Sequence, residues 1–397
     1  MAALPLFTPW DNTTFTGVSQ AVILNLADAN TNIVIGTGSF GAITSGAGNL
    51  VIGVDSALAL TSATTNYLIG SPAGAAITSG GSNICVGYEA GNAITTTVGN
   101  IFFGYQAGSA ATGCEDTVAV GYQAAQNITG NNNVAIGYQA LQTATASSSQ
   151  VAIGYQAGLA ITSSTAGNTL VGYQAGVAIT SGIQNVAIGT NALNAVTTGN
   201  SNIAVGYQAL LNNTAANITA VGYQAGTAQT SATLCSYFGY QAGTANTANS
   251  NTFCGYQAGL VTTSGANCTI IGALAGSAAN TNNLTLAGYN AGVAITSGTS
   301  NTCVGSGAGQ TITSGANNTC VGYQADVGTN TFAGCVVLGA GATASATAQF
   351  VLGSSGTPLT TATSATAGSS GAVPSQVVGY LDCNLNGTVI KFPYYAV

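Results

Sequence analysis

The chain has 397 residues, only 2 % of them charged, with a single basic residue, Lys391, no histidine and a net charge of −7. An ordinary soluble domain carries roughly 25 % charged residues, and this deficit excludes nucleic-acid binding, which needs many Lys and Arg on phosphates. It also excludes acid–base chemistry along the stretch between Asp116 and Asp326, where no Asp, Glu, Lys or Arg occurs, so no enzyme activity, no cofactor and no metal are expected.

Residues 1–31 hold the only Trp, Trp10, with Pro5 and Pro9, and do not share the pattern that follows. They read as an N-terminal cap or attachment segment. Met1 to Trp10 has no basic stretch followed by an apolar one, so no secretory signal is expected. Apolar runs are interrupted everywhere by Gly, Asn, Thr or Ser, so no membrane insertion is expected either.

From residue 32 to 353 one phrase recurs: Asn-Val-Ala-Ile-Gly-Tyr-Gln-Ala-Gly-x-Ala-Ile-Thr-Ser-Gly. Its anchor glycines run from Gly36, Gly53 and Gly70 through Gly137, Gly154 and Gly172 to Gly339 and Gly353, which makes 20 coils. Most coils have 17 residues, some 16, one 18, and the last step is 14. Repetition at this period is the signature of a solenoid, in which each coil buries its apolar face against its neighbours. The three residues before each anchor are apolar, Cys, Ser or Thr, and never charged. They read as a strand that avoids water on both faces.

Tyr follows the anchor in 12 coils and Gln follows Tyr in 10 of them. Eight residues after the anchor stands Thr in 17 of the first 19 coils. These columns are expected to stack as ladders: Tyr105, Tyr138 and Tyr155; Gln139 and Gln156; Thr145, Thr162 and Thr180. The segment Ala-Ile-Thr reads as a second strand, giving two parallel sheets. The Gly/Asn/Ser/Thr stretch after Thr varies in length and reads as a surface turn. With strands about 4.7–4.9 Å apart, 20 coils make a shaft of roughly 95 Å. Like charges stacked at that spacing would repel, which accounts for their absence.

The fold class is therefore all-β: a parallel β-solenoid of about 20 coils. Its second apolar face needs a cover, and a closed homo-oligomer with its axis along the shaft supplies one. The interface is expected at the column two before the anchor, Ala135, Ala152 and Ala187. In that column Cys303 and Cys320 stand one coil apart, close enough for a disulfide; small buried thiols are the expected state.

The repeated "NVAIG" phrase resembles the heads of trimeric autotransporter adhesins, and the "GYQAG" variant resembles repeats in fibre proteins of phages and large DNA viruses. The likeness covers about residues 32–353. It implies a β-roll, three chains about one axis, and a virion part made in the host cytoplasm. The implied partners are the chain itself (as a homotrimer or an end-to-end filament), other virion proteins and a host surface receptor. A secreted or cell-surface adhesive filament and an ice-binding solenoid presenting its Thr column are the alternatives.

Residues 354–376, rich in Ser, Thr, Ala and Gly, read as a linker. In residues 377–397 two apolar runs flank Asn386-Gly387, a strong hairpin signal. With Phe392, Tyr394 and Tyr395 beside it, this tail is expected to lock assembly or to serve attachment.

Overall fold

The computed structural model describes residues 31–39, 43–162 and 167–354 in full, and the backbone of three strands, Ile23–Asn25, Val377–Leu385 and Thr388–Tyr395. Among the described residues every regular element is a β-strand. The chain divides into two compact units, residues 1–354 and 355–397.

The first unit is a parallel β-solenoid. One strand of three or four residues precedes each anchor glycine, and each pairs in parallel with the strand one coil on. Val134–Ile136 pairs with Val151–Ile153, for example, Ala135 facing Ala152. The sheet has 21 strands, and the odd one is Ile23–Asn25. It runs antiparallel to Ile33–Gly36, so a reversed strand covers the edge that the first coil would otherwise offer to another chain.

The anchor must be glycine for two reasons. Gly137 has φ +132°, and a Cβ there would collide with the carbonyl oxygen of Gly154 in the next coil. The amide of Gly137 donates to Val120 O at 2.8 Å, so this close approach is what joins the coils at the corner.

The expected second strand is not a strand. Residues Tyr138–Thr143 form consecutive turns and Ala144 and Thr145 after them form no strand, and the same holds along most of the shaft. The cause lies in two left-handed residues, at the second and fourth positions after the anchor, such as Gln139 (φ 54°) and Leu141 (φ 50°). Left-handed residues break the extended conformation that a strand requires. Only near the end does a second, two-stranded parallel sheet form, Asp326–Val327 with Thr343–Ala344. The coil has one true sheet and a ladder of bonded turns in place of the other.

The interior is filled by four columns: the middle strand residue and the third, fourth and seventh positions after the anchor, the third being a fully buried Ala in every coil from Ala73 to Ala342. The volumes at the strand centre and the fourth position compensate within some coils and between neighbouring coils in others, as at Ala152 with Gly158 and Ala220 with Gly226, where Leu141 and Leu170, or Leu210 and Tyr237, of the adjacent coils take the space. Where the strand centre is Phe102, Tyr237 or Phe253, the fourth position is Gly108, Gly243 or Gly259; where it is Ala135, Ala187 or Ala204, the fourth position is Leu141, Leu193 or Leu210. A Cβ on Gly108 would strike the ring of Phe102. Leu141 accepts a left-handed backbone, at a cost of about 1–2 kcal/mol, because it fills the space Ala135 leaves; all three Leu are fully buried.

In the second unit, Val377–Leu385 and Thr388–Tyr395 pair antiparallel, with Leu381 opposite Phe392 and Asp382 opposite Lys391. The sole basic residue thus stands across from an acid. The turn residues Asn386 and Gly387 and most of the 354–376 linker lie outside the described residues.

Candidate functional site

The chemistry that this chain presents is a set of ladders parallel to the solenoid axis. Side chains of Tyr105, Tyr122, Tyr138 and Tyr155 stack with ring centroids 5.0–5.1 Å apart and interplanar angles of 5–6°. The stack extends to Tyr88 and Tyr173, stops at Thr190, and resumes from Tyr207 to Tyr256. The ring spacing is the strand spacing, so the sheet sets it. Beside it runs the amide ladder: Gln139 Nε2 donates to Gln123 Oε1 at 3.1 Å, Gln156 to Gln139 at 3.0 Å and Gln174 to Gln156 at 3.0 Å. At one end Gln106 donates to Glu89 Oε2 at 2.7 Å.

The Thr column forms a ladder of another kind. Thr145 Oγ1 donates to the carbonyl of Thr162 at 2.6 Å, and Thr180 Oγ1 to that of Thr197 at 3.1 Å. Most of the bonded hydroxyls give their proton to the backbone of the next coil and none to the next hydroxyl, while Thr263 Oγ1 donates to Asn280 Oδ1 at 2.8 Å. The expected Tyr, Gln and Thr residues are therefore all brought into ladders.

Sequence reasoning missed the strongest ladder. The residue four before the anchor is Asn in most coils and is buried in every coil but the last. Asn49 Nδ2 donates to Asn32 Oδ1 at 2.9 Å and to Ala63 O at 2.8 Å, while the amide of Asn49 donates to the same Oδ1 at 2.9 Å. Asn66, Asn83 and Asn100 repeat the arrangement. A buried amide is tolerated because its groups find partners. The signal was the Asn of "NVAIG" itself, recurring at one position ahead of the strand. Where Asn gives way to Cys235, Cys268 or Cys335, the thiol donates to a carbonyl of the next coil at 3.2–3.3 Å. Cysteine stands in as a weak donor there.

The interface expected at Ala135, Ala152 and Ala187 is a correction. All three have 0 % exposure within a single chain. They line the interior, so no second copy reaches them. The reason is the twofold alternation of a strand: of three apolar residues only the middle one faces in. The residues on either side face out; Ile136, Ile153 and Ile188 are each more than one-third exposed. Both faces of this strand do not avoid water within one chain.

Cys303 and Cys320 face each other in register and are free thiols, as expected. The hydrogen bond with Cys320 and, after it, burial push the Cys303 thiol far up, which leaves it protonated and unreactive. Among the described cysteines only Cys254 is exposed. Asp326 is buried and raised by desolvation, against hydrogen bonds from Thr311 and Val327 that pull it down. Among the described residues no group of three or more His, Cys, Asp or Glu could hold a metal ion, and no helix is long and apolar enough to cross a membrane. Phe392, Tyr394 and Tyr395 lie on Thr388–Tyr395, opposite Leu381, Gly379 and Val377. No protein-family model matches the chain, and no curated protein is significantly similar to it.

Proposed function

We propose that this chain is a structural shaft, the subunit of a fibre, spike or filament displayed on a virion, assembled as a homotrimer and mechanical rather than catalytic in its work. The observation that carries the reading is the uninterrupted parallel sheet from Ile33 to Leu352, flanked by side-chain ladders that recur along most of its length. Such a stack behaves as a stiff one-dimensional array whose length is fixed by coil number. Specificity then belongs to the non-repeating ends: residues 1–31 for docking to other virion proteins, and residues 377–397 for locking the assembly or meeting a host surface receptor. Most of the bonded Thr hydroxyl protons are spent on the backbone, which weighs against a surface built to bind ice. An adhesive filament of a cell surface would use the same mechanics in another place.

Electron microscopy of the purified full chain tests the shaft: uniform rods roughly 95 Å long are expected, and globular or amorphous particles overturn it. Immunogold labelling with an antibody against the repeats tests the location, with label on released particles expected and label on cell surfaces alone favouring the adhesive filament. Deletion of residues 377–397 is expected to yield β-rich material of irregular stoichiometry; uniform rods of unchanged stoichiometry would move that tail from assembly to attachment.

A further inference from the structure

The Tyr column is broken between Tyr289 and Tyr323, where Ser306 stands, and the amide column beside it is broken in the same coil, where Gly307 stands in place of Gln. The backbone ladder runs on through the break: Gly307 N donates to Tyr289 O at 2.8 Å and Gln324 N to Ser306 O at 2.9 Å. The two rings are therefore held two ladder steps apart. With steps of 5.0–5.2 Å in the unbroken stack, their centroids lie about 10 Å apart. Exposure shows that the faces are bare. Tyr122, Tyr138 and Tyr155, each between two rings, are 40–41 % exposed, whereas Tyr289 is 56 % and Tyr323 59 % exposed. Two other breaks have Tyr in both neighbouring coils, at Thr190-Asn191 and Ala273-Leu274. Ser306-Gly307 is the smallest of the three pairs and leaves the most room.

Two aromatic faces at that separation accept one flat ring. A ring midway stands about 5 Å from each wall, within the roughly 4.5–7 Å of favourable offset stacking. It repeats the place that Tyr138 holds between Tyr122 and Tyr155. The break in the amide column sets what the ring must carry. In the unbroken column each side-chain amide donates to the amide oxygen one coil back, as Gln156 does to Gln139 at 3.0 Å. Gly307 has no such donor, and Asn290 Oδ1, one coil back from it, is buried without a protein partner. An acceptor left in that state is costly. A ligand that fills the gap and brings one O–H or N–H restores both columns together. No charged residue occurs in either column from Gln106 to Gln324, so an ionised ligand would find no counter-charge there.

We infer that the gap at Ser306-Gly307 is a binding slot for a neutral, flat aromatic ring with a hydrogen-bond donor on its edge, a phenol in the simplest case, stacked between Tyr289 and Tyr323 with its donor on Asn290 Oδ1. This goes beyond the shaft reading and does not depend on what displays the shaft.

The test is photolabelling of the full chain with 4-azidophenol, followed by peptide mapping. Light expels dinitrogen from the azide, and the nitrene inserts into a neighbouring bond. Label is expected to concentrate on residues 289–324. It is expected to be suppressed by p-cresol and not by 4-methylcyclohexanol, which has the same substituents on a saturated ring. Ser306→Tyr supplies the ring in a column where Tyr is the usual residue. Its far-UV circular dichroism is expected to match wild type, while label in the slot falls at least about tenfold. Asn290→Leu, a residue the column already carries at Leu274, is expected to remove the advantage of p-cresol over p-xylene as a competitor. Label spread evenly over all the Tyr coils, undiminished in Ser306→Tyr, or suppressed equally by 4-methylcyclohexanol overturns the slot. Better protection by methyl β-glucopyranoside than by p-cresol overturns the aromatic class in favour of a sugar. An advantage of p-cresol that survives in Asn290→Leu overturns the part given to Asn290.

Discussion

Two stretches of the solenoid share a backbone and differ in what fills it. In the first, the seventh position after the anchor is Ile77, Ile94, Ile128, Ile161 or Ile179, all fully buried. In the second the same position is Asn213, Gln229, Asn246 and Thr262, equally buried. The polar stretch coincides with Tyr237 at a strand centre. Its hydroxyl donates to Asn246 Oδ1 at 2.8 Å and accepts from Gln229 Nε2 at 3.2 Å, and Asn251 Nδ2 also donates to Asn246 Oδ1 at 3.2 Å. The network is incomplete, since Gln229 Oε1 and Thr262 Oγ1 have no protein partner. The lesson is that the backbone ladders define the coil, and the interior accepts apolar or polar filling even where a few polar atoms lack a protein partner.

Register is where this comparison breaks hardest. A four-residue Gly/Ser insertion after Tyr155, in the apolar stretch, moves the Gln and Thr columns off their partners and is expected to destabilise the shaft by more than about 4 kcal/mol. The same insertion after Gly182, in the loop of variable length, is expected to leave the thermal melt within about 1 kcal/mol of wild type. Equal effects in thermal unfolding would refute the division of the coil into a fixed part and a tolerant loop.

Exchanging the interiors comes next in size. Ile161→Asn puts an amide among Ala144 and Ile179 with no partner and removes apolar burial, an expected cost of about 3–5 kcal/mol. Asn246→Leu leaves the Tyr237 hydroxyl without its acceptor, at about 1–3 kcal/mol. Native-state hydrogen exchange on the flanking strands reads both. If Asn246→Leu stabilises the shaft, the polar network is a tolerated defect and not a support.

The smallest effect sharpens the volume rule through its sign. Gly108→Leu alone collides with Phe102 and is expected to lower the melting temperature. In a Phe102→Ala background it fills the vacated space. Burial of about 1.5–3 kcal/mol less a left-handed cost of about 1–2 leaves a gain of about 1 kcal/mol. A destabilising Gly108→Leu in both backgrounds would show that backbone conformation, not volume, fixes the glycine.

By itself the sequence determined the coil number, the anchor, the parallel solenoid and the ladder columns of Tyr155, Gln156 and Thr162. Recurrence at fixed spacing needs no coordinates, because a stack places equal positions over one another. Tertiary structure decided which of three apolar strand residues points inward, since a twofold alternation has a phase that composition does not state, and the glycine corner sets it. It placed Ala135, Ala152 and Ala187 inside and their neighbours outside. It put linked turns ahead of the Ala-Ile-Thr segment and left that segment without a strand, because Gln and Leu take left-handed conformations only when a neighbouring coil's carbonyls and an empty interior space reward them. And it buried the Asn column, whose amides are costly alone and become a support only when the coil above supplies the partner.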